Sequence, residues 1–352
     1  MSQRTLAGLL AVPLVLALLV AALFTDLPYA TYAPGPTVDV LDQPGGSETV
    51  AVRGVKSYRD DGELRLTTVS VSRVDNKLSL PELIAAWWDD DEAVYPYDYV
   101  HPEDVTAEED QREGAVSMVT SQDVAIANAL RALDYDVEPT LQVAYVVPDS
   151  PADGELEVRD VLLRVNGQRV TDAEMLVKAI RRTKDGESVA LVVERDRKRR
   201  IVTIEPRVED DGVKRVGFTP GQGFRFPFDV AVNIDPDIGG PSAGMIFSLA
   251  IYDTLTRGSL TGGGAVAGTG TIDLEGNVGP IGGIQQKIAG AERDGAELFL
   301  VPAANCADAL GVDDGDPRLV RVETFDDALE SVQAWGEDRD ADLPSCEETQ
   351  DQ

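Results

Sequence analysis

The chain has few of the side chains on which many hydrolases and metal sites depend. It contains one histidine, His101, which lies in an acidic stretch and argues against a Ser-His-Asp site. Its two cysteines, Cys306 and Cys346, are too few for a disulfide scaffold or a zinc site. A disulfide between them, joining the acidic C-terminal tail to the preceding domain, and two unpaired thiols both fit the sequence.

Positive charge is also scarce. The 352 residues include 31 Lys and Arg against 63 Asp and Glu, which gives a formal net charge of −32. A surface of this sign repels phosphates, so nucleic acid is not an expected partner. The phosphate-binding motif G-x-x-x-x-G-K-[ST] does not occur, and we therefore expect no ATP. No other cofactor and no metal are expected. The four carboxylates at 89–92 lack the spacing of metal ligands and are interpreted as a solvated helix end.

Only one long apolar run occurs, near the N-terminus. Leu6 to Phe24 contains nineteen residues without a charge, about 28 Å as a helix and close to the thickness of a bilayer's hydrocarbon core. Arg4 precedes it and Asp26 follows, which predicts a cytoplasmic N-terminus and an extracytoplasmic remainder. The alternative is a cleaved signal peptide, whose apolar region is usually shorter. The sequence favours a transmembrane anchor within residues 1–28 and a single-pass location in the cell membrane.

The sequence does contain a serine in a glycine-rich bend. The segment Gly239-Gly240-Pro241-Ser242-Ala243-Gly244 precedes an apolar stretch, 245–252, that is typical of a buried helix. Ser242 is therefore placed to act as a nucleophile, with backbone N–H groups around Gly240 and Ser242 as donors to an oxyanion. The alternative is that Ser242 only caps the helix.

With the one histidine far upstream, lysine is the candidate base. Ile284, Lys287, Ile288 and Ala291 stand at i, i+3, i+4 and i+7, on one face of a predicted helix. Since that face is otherwise apolar, Lys287 is expected to point inward. Lost hydration then lowers the pKa of its amine and allows a neutral base near pH 7. The alternative is a lysine that reaches solvent from the edge of the helix.

Four blocks within residues 232–303 resemble the proteolytic domain of Lon-type serine–lysine peptidases. They are Gly240-Pro241-Ser242-Ala243-Gly244, Thr269-Gly270-Thr271-Ile272, Gly276-Asn277-Val278, and Pro280-Ile281-Gly282-Gly283 with Lys287 four residues on. They occur in order over about seventy residues, which makes the resemblance specific.

The resemblance implies roles for individual residues. It makes Ser242 the nucleophile, Lys287 the general base, and Thr269 a hydroxyl that holds the lysine amine. The supporting residues that it implies are Gly240, Pro241 and Gly244. The family often has an acidic residue three positions before the serine. That position is Gly239 here, and Asp237 stands two residues earlier.

Residues 121–207 resemble a bacterial PDZ domain, a module that binds extended chain ends along a sheet edge. The matching segments are Ser150-Pro151-Ala152-Asp153, Asp160-Val161-Leu162 and Val165-Asn166-Gly167. Two departures stand out. Arg159 replaces the usual glycine before Asp160, and 138–141 lacks a clear glycine-rich loop for binding a carboxylate. The basic run 195–200 is expected at a hairpin tip.

Together these features predict an α+β multidomain protein. The predicted units are a cytoplasmic stub and transmembrane helix at 1–28, a mixed α/β N-terminal region at 29–115, a PDZ-like domain at 116–207, a Lon-type proteolytic domain at 208–335 and an acidic tail at 336–352. The arrangement resembles the membrane-anchored, PDZ-containing Lon-like proteases of Gram-positive bacteria. That resemblance implies a homo-oligomer, and the role of residues 34–110 stays open.

The predicted function is an ATP-independent, extracytoplasmic serine endopeptidase that cleaves unfolded or exposed protein segments. The PDZ-like domain is expected to engage the protein or peptide substrate. Two other classes of function are alternatives. A non-catalytic peptide-binding adaptor would bind through the PDZ-like edge whatever residue stands at 242. A structural cell-envelope protein would depend on residues 1–28 and not on Ser242 or Lys287. The ordered four-block pattern favours the enzyme.

Overall fold

A computed structural model describes residues 11–17, 20, 23, 25–43, 48–73, 77–102, 106–184, 186–209, 212–235, 238–310 and 317–347. Within the predicted transmembrane segment Leu6–Phe24, the described residues are helical. None of the helices in the described ranges has the length and apolar character that crossing a membrane requires. The predicted transmembrane helix and single-pass membrane location are therefore wrong.

Beyond the N-terminal segment, helices and strands alternate along the described chain. The helices, numbered here in chain order, are α1 Leu80–Trp88, α2 Tyr97–Val100, α3 Ala107–Ala132, α4 Ala173–Arg181, α5 Gly244–Leu255, α6 Ile284–Arg293, α7 Cys306–Ala309 and α8 Phe325–Glu337. The strands are β1 Tyr29–Asp39, β2 Val50–Arg53, β3 Glu63–Val71, β4 Ala93–Pro96, β5 Glu138–Val146, β6 Val161–Val165, β7 Gln168–Arg169, β8 Val189–Arg195, β9 Lys198–Ile204, β10 Arg207–Val208, β11 Lys214–Arg215, β12 Phe218–Arg225, β13 Asp229–Val232, β14 Ala265–Gly268, β15 Thr271–Ile272, β16 Val278–Gly279, β17 Leu298–Pro302 and β18 Arg318–Val322.

One six-stranded sheet joins segments from both ends of the chain, in the order β18-β17-β14-β3-β1-β4. The strands β18, β17, β14 and β3 are parallel, whereas β1 and β4 are antiparallel to their neighbours. The predicted N-terminal region therefore shares a sheet with the predicted proteolytic domain. In addition, β2 pairs with β13. The structure is α+β in this part, as predicted.

Helix α5 lies at the centre of the main core. Ten of its twelve residues are buried, since it packs against α3, α8 and β3. A helix that is apolar on nearly every side must be surrounded by other elements. Its first turn is therefore held rigidly, and Ser242 stands directly before that turn.

A second sheet, in the order β12-β5-β6-β8-β9 with β7 beside β6, forms the PDZ-like unit. Its core includes Leu176 and Ile180 of α4, packed against Val143, Leu191 and Val216. The unit follows α3 and precedes β13. Because β5 and β12 pair antiparallel along their full length, the chain enters and leaves this unit at adjacent points.

Helix α3 connects the two sheets. Thr106 begins it with a capping box, in which its side chain accepts from the N–H of Glu109 and the Glu109 carboxylate accepts from the N–H of Thr106. The 26 residues span about 39 Å. The second half of α3 is buried between α5 and the PDZ-like unit.

Cys306 and Cys346 form a disulfide. This answers the question that the sequence left open, and it links α7 to the segment after α8.

Candidate active site

The bend before α5 is built against α3. Gly240 has a φ of 88°, a left-handed conformation that glycine adopts without strain. Its N–H donates to the carbonyl of Gly114 in α3 at 3.2 Å. The carbonyl of Pro241 accepts a hydrogen bond from Ser121 Oγ, also in α3, at 3.0 Å. Two bonds to one helix thus fix the loop that carries Ser242.

Gly244, the first residue of α5, allows close packing of its neighbours. A Cβ at this position would lie 2.8 Å from both Ser121 Oγ and Ile272 Cγ2. A Cβ essentially never lies this close to another heavy atom, so a larger residue would displace α5 from α3 or β15. The N–H of Met245 also donates to the carbonyl of Gly270 at 3.2 Å.

Lys287 lies one turn into α6 and is 3% exposed, as the apolar face of that helix predicts. Its Nζ donates to Ser242 Oγ at 2.9 Å and to Thr269 Oγ1 at 3.0 Å. Burial lowers the pKa of Lys287 to about 8, because an ammonium stripped of water is disfavoured. The structure therefore brings the predicted nucleophile, base and supporting hydroxyl together.

Thr269 is fully buried between β14 and β15. Its hydroxyl accepts from Lys287 Nζ and donates to the carbonyl of Ser242 at 3.1 Å. Because the hydroxyl has a single proton, these two bonds fix its orientation. The N–H of Gly270 donates to the same Ser242 carbonyl at 2.7 Å. The backbone of Ser242 is thus held while its Oγ contacts the amine.

The two predicted oxyanion donors differ in availability. The N–H of Gly240 is already bonded to the Gly114 carbonyl at 3.2 Å, so it is directed at α3. It can serve an oxyanion only if that bond breaks. The other predicted donor is the N–H of Ser242, next to the start of α5, which does not require the bond between Gly240 and Gly114 to break.

A cavity of about 430 Å³ opens beside Ser242 and Lys287. Its apolar walls come from β1, β3, α3 and the bend before α5, through the side chains of Val38, Leu66, Val69, Met118 and Ile238. The sequence predicted none of these contributions. The β-type pattern at 64–71 identified a strand, but it does not show which residues that strand will contact.

Asn305 is a second residue that the sequence did not point out. It is buried, and its side chain bonds the backbone of Ile281 twice: Oδ1 accepts from the N–H at 2.9 Å and Nδ2 donates to the carbonyl at 2.9 Å. Ile281 lies just before Gly283, which begins α6 with a left-handed φ of 68°. Asn305 therefore fixes the segment that positions the helix of Lys287. A lone asparagine in a loop carries no signal for such a role.

Other residues that the sequence pointed out lie elsewhere. Asp237 falls outside the described residues. His101 follows α2, and its Nε2 lies 2.7 Å from the carbonyl of Ser72. The basic run 195–200 lies at the hairpin between β8 and β9, as predicted, and Arg195 pairs there with Asp160 at 2.6 Å.

Comparison with known families finds two matches. Residues 234–331 match the family described as the Lon protease (S16) C-terminal proteolytic domain, and residues 142–195 match the PDZ domain. The first segment contains Ser242, Thr269 and Lys287. The second contains Arg159 and most of the strands of the PDZ-like unit.

Several curated relatives are Lon proteases. The chain is 40% identical over 96 residues to the Lon protease of Paraburkholderia phytofirmans, which is 26% of this chain and 12% of the relative. It is 33% identical over 107 residues to Lon protease 2 of Bacillus subtilis, covering 30% of this chain and 19% of the relative. It is 38% identical over 103 residues to the peroxisomal Lon protease homolog 2 of Caenorhabditis elegans, covering 28% of this chain and 12% of the relative. The chain thus matches less than a fifth of the length of each of these relatives.

Among solved structures, the PDZ domain of an SdrC-like protein from Listeria innocua is 22% identical, with a TM-score of 0.22, over 23% of this chain and 92% of that chain. GtR34C from Geobacillus thermodenitrificans is 27% identical, with a TM-score of 0.21, over 23% of this chain and 94% of that chain. The chain carries a Lon-type proteolytic domain and a PDZ domain, and the family match together with the Lon relatives supports a serine peptidase.

Proposed function

We propose that this protein is an ATP-independent, extracytoplasmic serine endopeptidase with Ser242 as nucleophile and Lys287 as general base. The observation that carries the proposal is the separation of 2.9 Å between Lys287 Nζ and Ser242 Oγ, at an amine that is 3% exposed. With a pKa of about 8, roughly a tenth of the amine is neutral at pH 7. At its ordinary pKa of 10.5 that fraction is about three in ten thousand.

In the acylation step, the neutral amine of Lys287 takes the proton of Ser242 as Oγ bonds to the peptide carbonyl carbon. The carbonyl oxygen becomes an oxyanion, for which the N–H of Ser242 is the proposed donor. Collapse of this intermediate breaks the C–N bond. The ammonium then returns its proton to the leaving amine, which departs as the new N-terminus and leaves an ester on Ser242.

Deacylation repeats the same proton transfers with water. Lys287, neutral again, takes a proton from water as the oxygen attacks the ester carbonyl. The second oxyanion collapses, the serine oxygen regains the proton, and the carboxylic product leaves. Thr269 contributes by fixing the direction of the amine, since its oxygen accepts one of the amine's hydrogen bonds.

Two observations support the finer parts of the proposal. Residues 1–352 contain no G-x-x-x-x-G-K-[ST] motif, which supports cleavage without ATP. The disulfide between Cys306 and Cys346 supports an extracytoplasmic location, because disulfides persist mainly in oxidising compartments.

The proposed substrates are unfolded or exposed protein segments. A cavity of about 430 Å³ beside Ser242 admits side chains of an extended peptide rather than a folded domain. The PDZ domain is proposed to bind the same polypeptide, since such domains add an extended chain to a sheet edge. The family resemblance also leads us to propose a homo-oligomer, which light scattering after size-exclusion chromatography tests.

The test of the proposal is cleavage of unfolded casein by the wild type and by Ser242→Ala and Lys287→Ala. Both variants should lose cleavage while keeping the wild-type circular dichroism spectrum, and a serine-reactive fluorophosphonate should label the wild type but not Ser242→Ala. Full activity of either variant would remove the pair from the mechanism. A non-catalytic adaptor would instead bind casein equally well with Ser242→Ala and take up no label.

A further inference from the structure

Arg159 has a backbone conformation that arginine rarely adopts. Its φ is 72°, in the left-handed region that favours glycine, and the resemblance to bacterial PDZ domains implies that glycine is usual at this position. Such a conformation persists only where the surrounding structure holds it in place, which directs attention to the contacts of this side chain.

The side chain of Arg159 leaves the PDZ domain and binds α3. Its Nε donates to Asp123 Oδ1 at 3.0 Å and its Nη2 donates to Gln122 Oε1 at 2.8 Å. The Asp123 side chain is 1% exposed, and it also accepts from Gln142 Nε2 of β5. A buried carboxylate needs such partners. Two side chains of the PDZ domain thus supply them.

The same helix continues to the proposed nucleophile. Less than one turn before Asp123, Ser121 bonds the carbonyl of Pro241, and further up the helix Gly114 bonds the N–H of Gly240. Helix α3 therefore contacts the bend before α5 through Gly114 and Ser121, and the PDZ domain through Gln122 and Asp123.

A second cavity lies between the PDZ domain and the bend. It measures about 700 Å³ and is lined by Tyr145 of β5, by residues of α3 and by Gly239 and Gly240. Gly239 also lines the cavity beside Ser242. The second cavity thus lies between Tyr145 of the PDZ domain and the bend that carries Ser242.

We propose that Arg159 is a positioning residue. Its ion pair with Asp123 fixes the PDZ domain against α3, so that the cavity between Tyr145 and Gly239 stays formed as the passage for a long substrate. The inference rests on the proposed peptidase function and adds to it. Long polypeptides that span both units depend on Arg159, whereas short peptides that occupy only the cavity at Ser242 do not.

The test compares two substrates of the full chain. One is unfolded casein, and the other is a fluorogenic hexapeptide that copies one of its cleavage sites and extends about 20 Å. Arg159→Gly removes the guanidinium and places the preferred residue in the left-handed backbone. Because the buried Asp123 then loses one of its partners, we expect a lower melting temperature, and both substrates are assayed well below it. Since a misplacement of about 1 Å can cost a hundredfold, we expect kcat for casein to fall about 30-fold, with KM and the turnover of the hexapeptide within about twofold of wild type.

Arg197→Gly is the matched control. Arg197 also has a left-handed φ, 60°, and lies in the same unit, but its ion pair with Asp229 is exposed. We expect it to cleave both substrates like the wild type, because exposed pairs contribute little. Arg159→Lys keeps the charge but cannot make both bonds, so its casein turnover should lie between wild type and Arg159→Gly.

Three outcomes would overturn the inference: an unchanged casein turnover in Arg159→Gly, an equal loss on both substrates, or a loss confined to KM. An equal loss would indicate a general structural role. If the wild type cleaves neither substrate, the proposed function itself fails, which separates the two hypotheses.

Discussion

Replacing Lys287 by methionine tests the burial of the amine through stability rather than activity. Burial lowers the pKa of Lys287 from 10.5 to about 8. Because a tenfold change in proton affinity is worth about 1.4 kcal/mol, the buried ammonium costs the folded state about 3 kcal/mol at pH 7. Between about pH 8 and 10.5 the unfolded chain holds more protons on this residue than the folded chain does. The stability of the wild type should therefore rise with pH across that window.

Methionine has a similar length and no charge, so it removes this pH-dependent cost. It also removes the hydrogen bonds to Ser242 and Thr269, a loss of about 2 kcal/mol that does not change with pH. At pH 7 the two effects nearly balance, and Lys287→Met should be more stable than the wild type by about 1 kcal/mol. At pH 10 most of the wild-type penalty has gone, and the variant should be the less stable protein.

The assay is urea unfolding at pH 7 and pH 10, followed by tryptophan fluorescence. Trp335, 3% exposed in the main core, reports the unfolding of the unit that holds Lys287. The stability difference between wild type and Lys287→Met should change by about 2.5 kcal/mol between the two pH values. Lys178→Met, at a lysine whose side chain is 59% exposed on α4, is the control and should parallel the wild type. Parallel curves for Lys287→Met as well would refute the buried, desolvated amine.

The other predictions concern activity and folding. If Lys287 is the base, kcat/KM should rise with pH to a plateau above an apparent pKa near 8; a flat profile from pH 6 to 9 would exclude this role. Thr269→Val removes an acceptor that stabilises the ammonium, so that apparent pKa should fall and kcat should drop about tenfold, whereas Thr269→Ser should retain both. Asn305→Ala frees the backbone of Ile281, and we expect kcat to fall about tenfold with KM unchanged; an effect on KM alone would contradict a role in placing α6. The fragment 208–335 should lack a cooperative melting transition, because β14 loses its partner β3, and a sharp transition would refute this dependence.

The sequence indicated the centre of the site because the relevant patterns are local. The helical spacing around Lys287 predicted a buried amine, and the glycines around Ser242 predicted a bend before a buried helix. Each signal comes from about ten neighbouring residues, whose faces follow from helix geometry alone. The meeting of the two residues was an inference from family resemblance, because spacing along the chain does not determine a distance in space. The roles of Ser242 and Lys287 stay predictions.

What the sequence did not predict depends on distant pairing. β3 and β14 lie about two hundred residues apart and pair in parallel, and no local pattern specifies that register. The contribution of Val38, Val69 and Met118 to the cavity follows from this pairing and from the path of α3. The error about the membrane has a different origin. Hydropathy counts apolar residues in a window, and an apolar composition does not by itself establish one helix of spanning length.

Strand β1 also helps to position α6, the helix that carries Lys287. Since β1 lies outside the matched residues 234–331, the position of the Lys287 amine depends on residues beyond the family match. A Cβ at Gly290 of α6 would lie 3.0 Å from the carbonyl oxygen of Gly35 in β1, a tight contact, so a larger residue would require the helix or the strand to shift. Arg293 donates to the same carbonyl at 3.0 Å. Asp294 accepts from both the N–H and the hydroxyl of Thr37, at 3.1 and 2.7 Å. Helix α6 is thus fixed to β1 at its C-terminal end and to the loop before it by Asn305. The lysine lies between these two attachments, so its distance from the serine depends on parts of the chain that family comparison alone does not bring together.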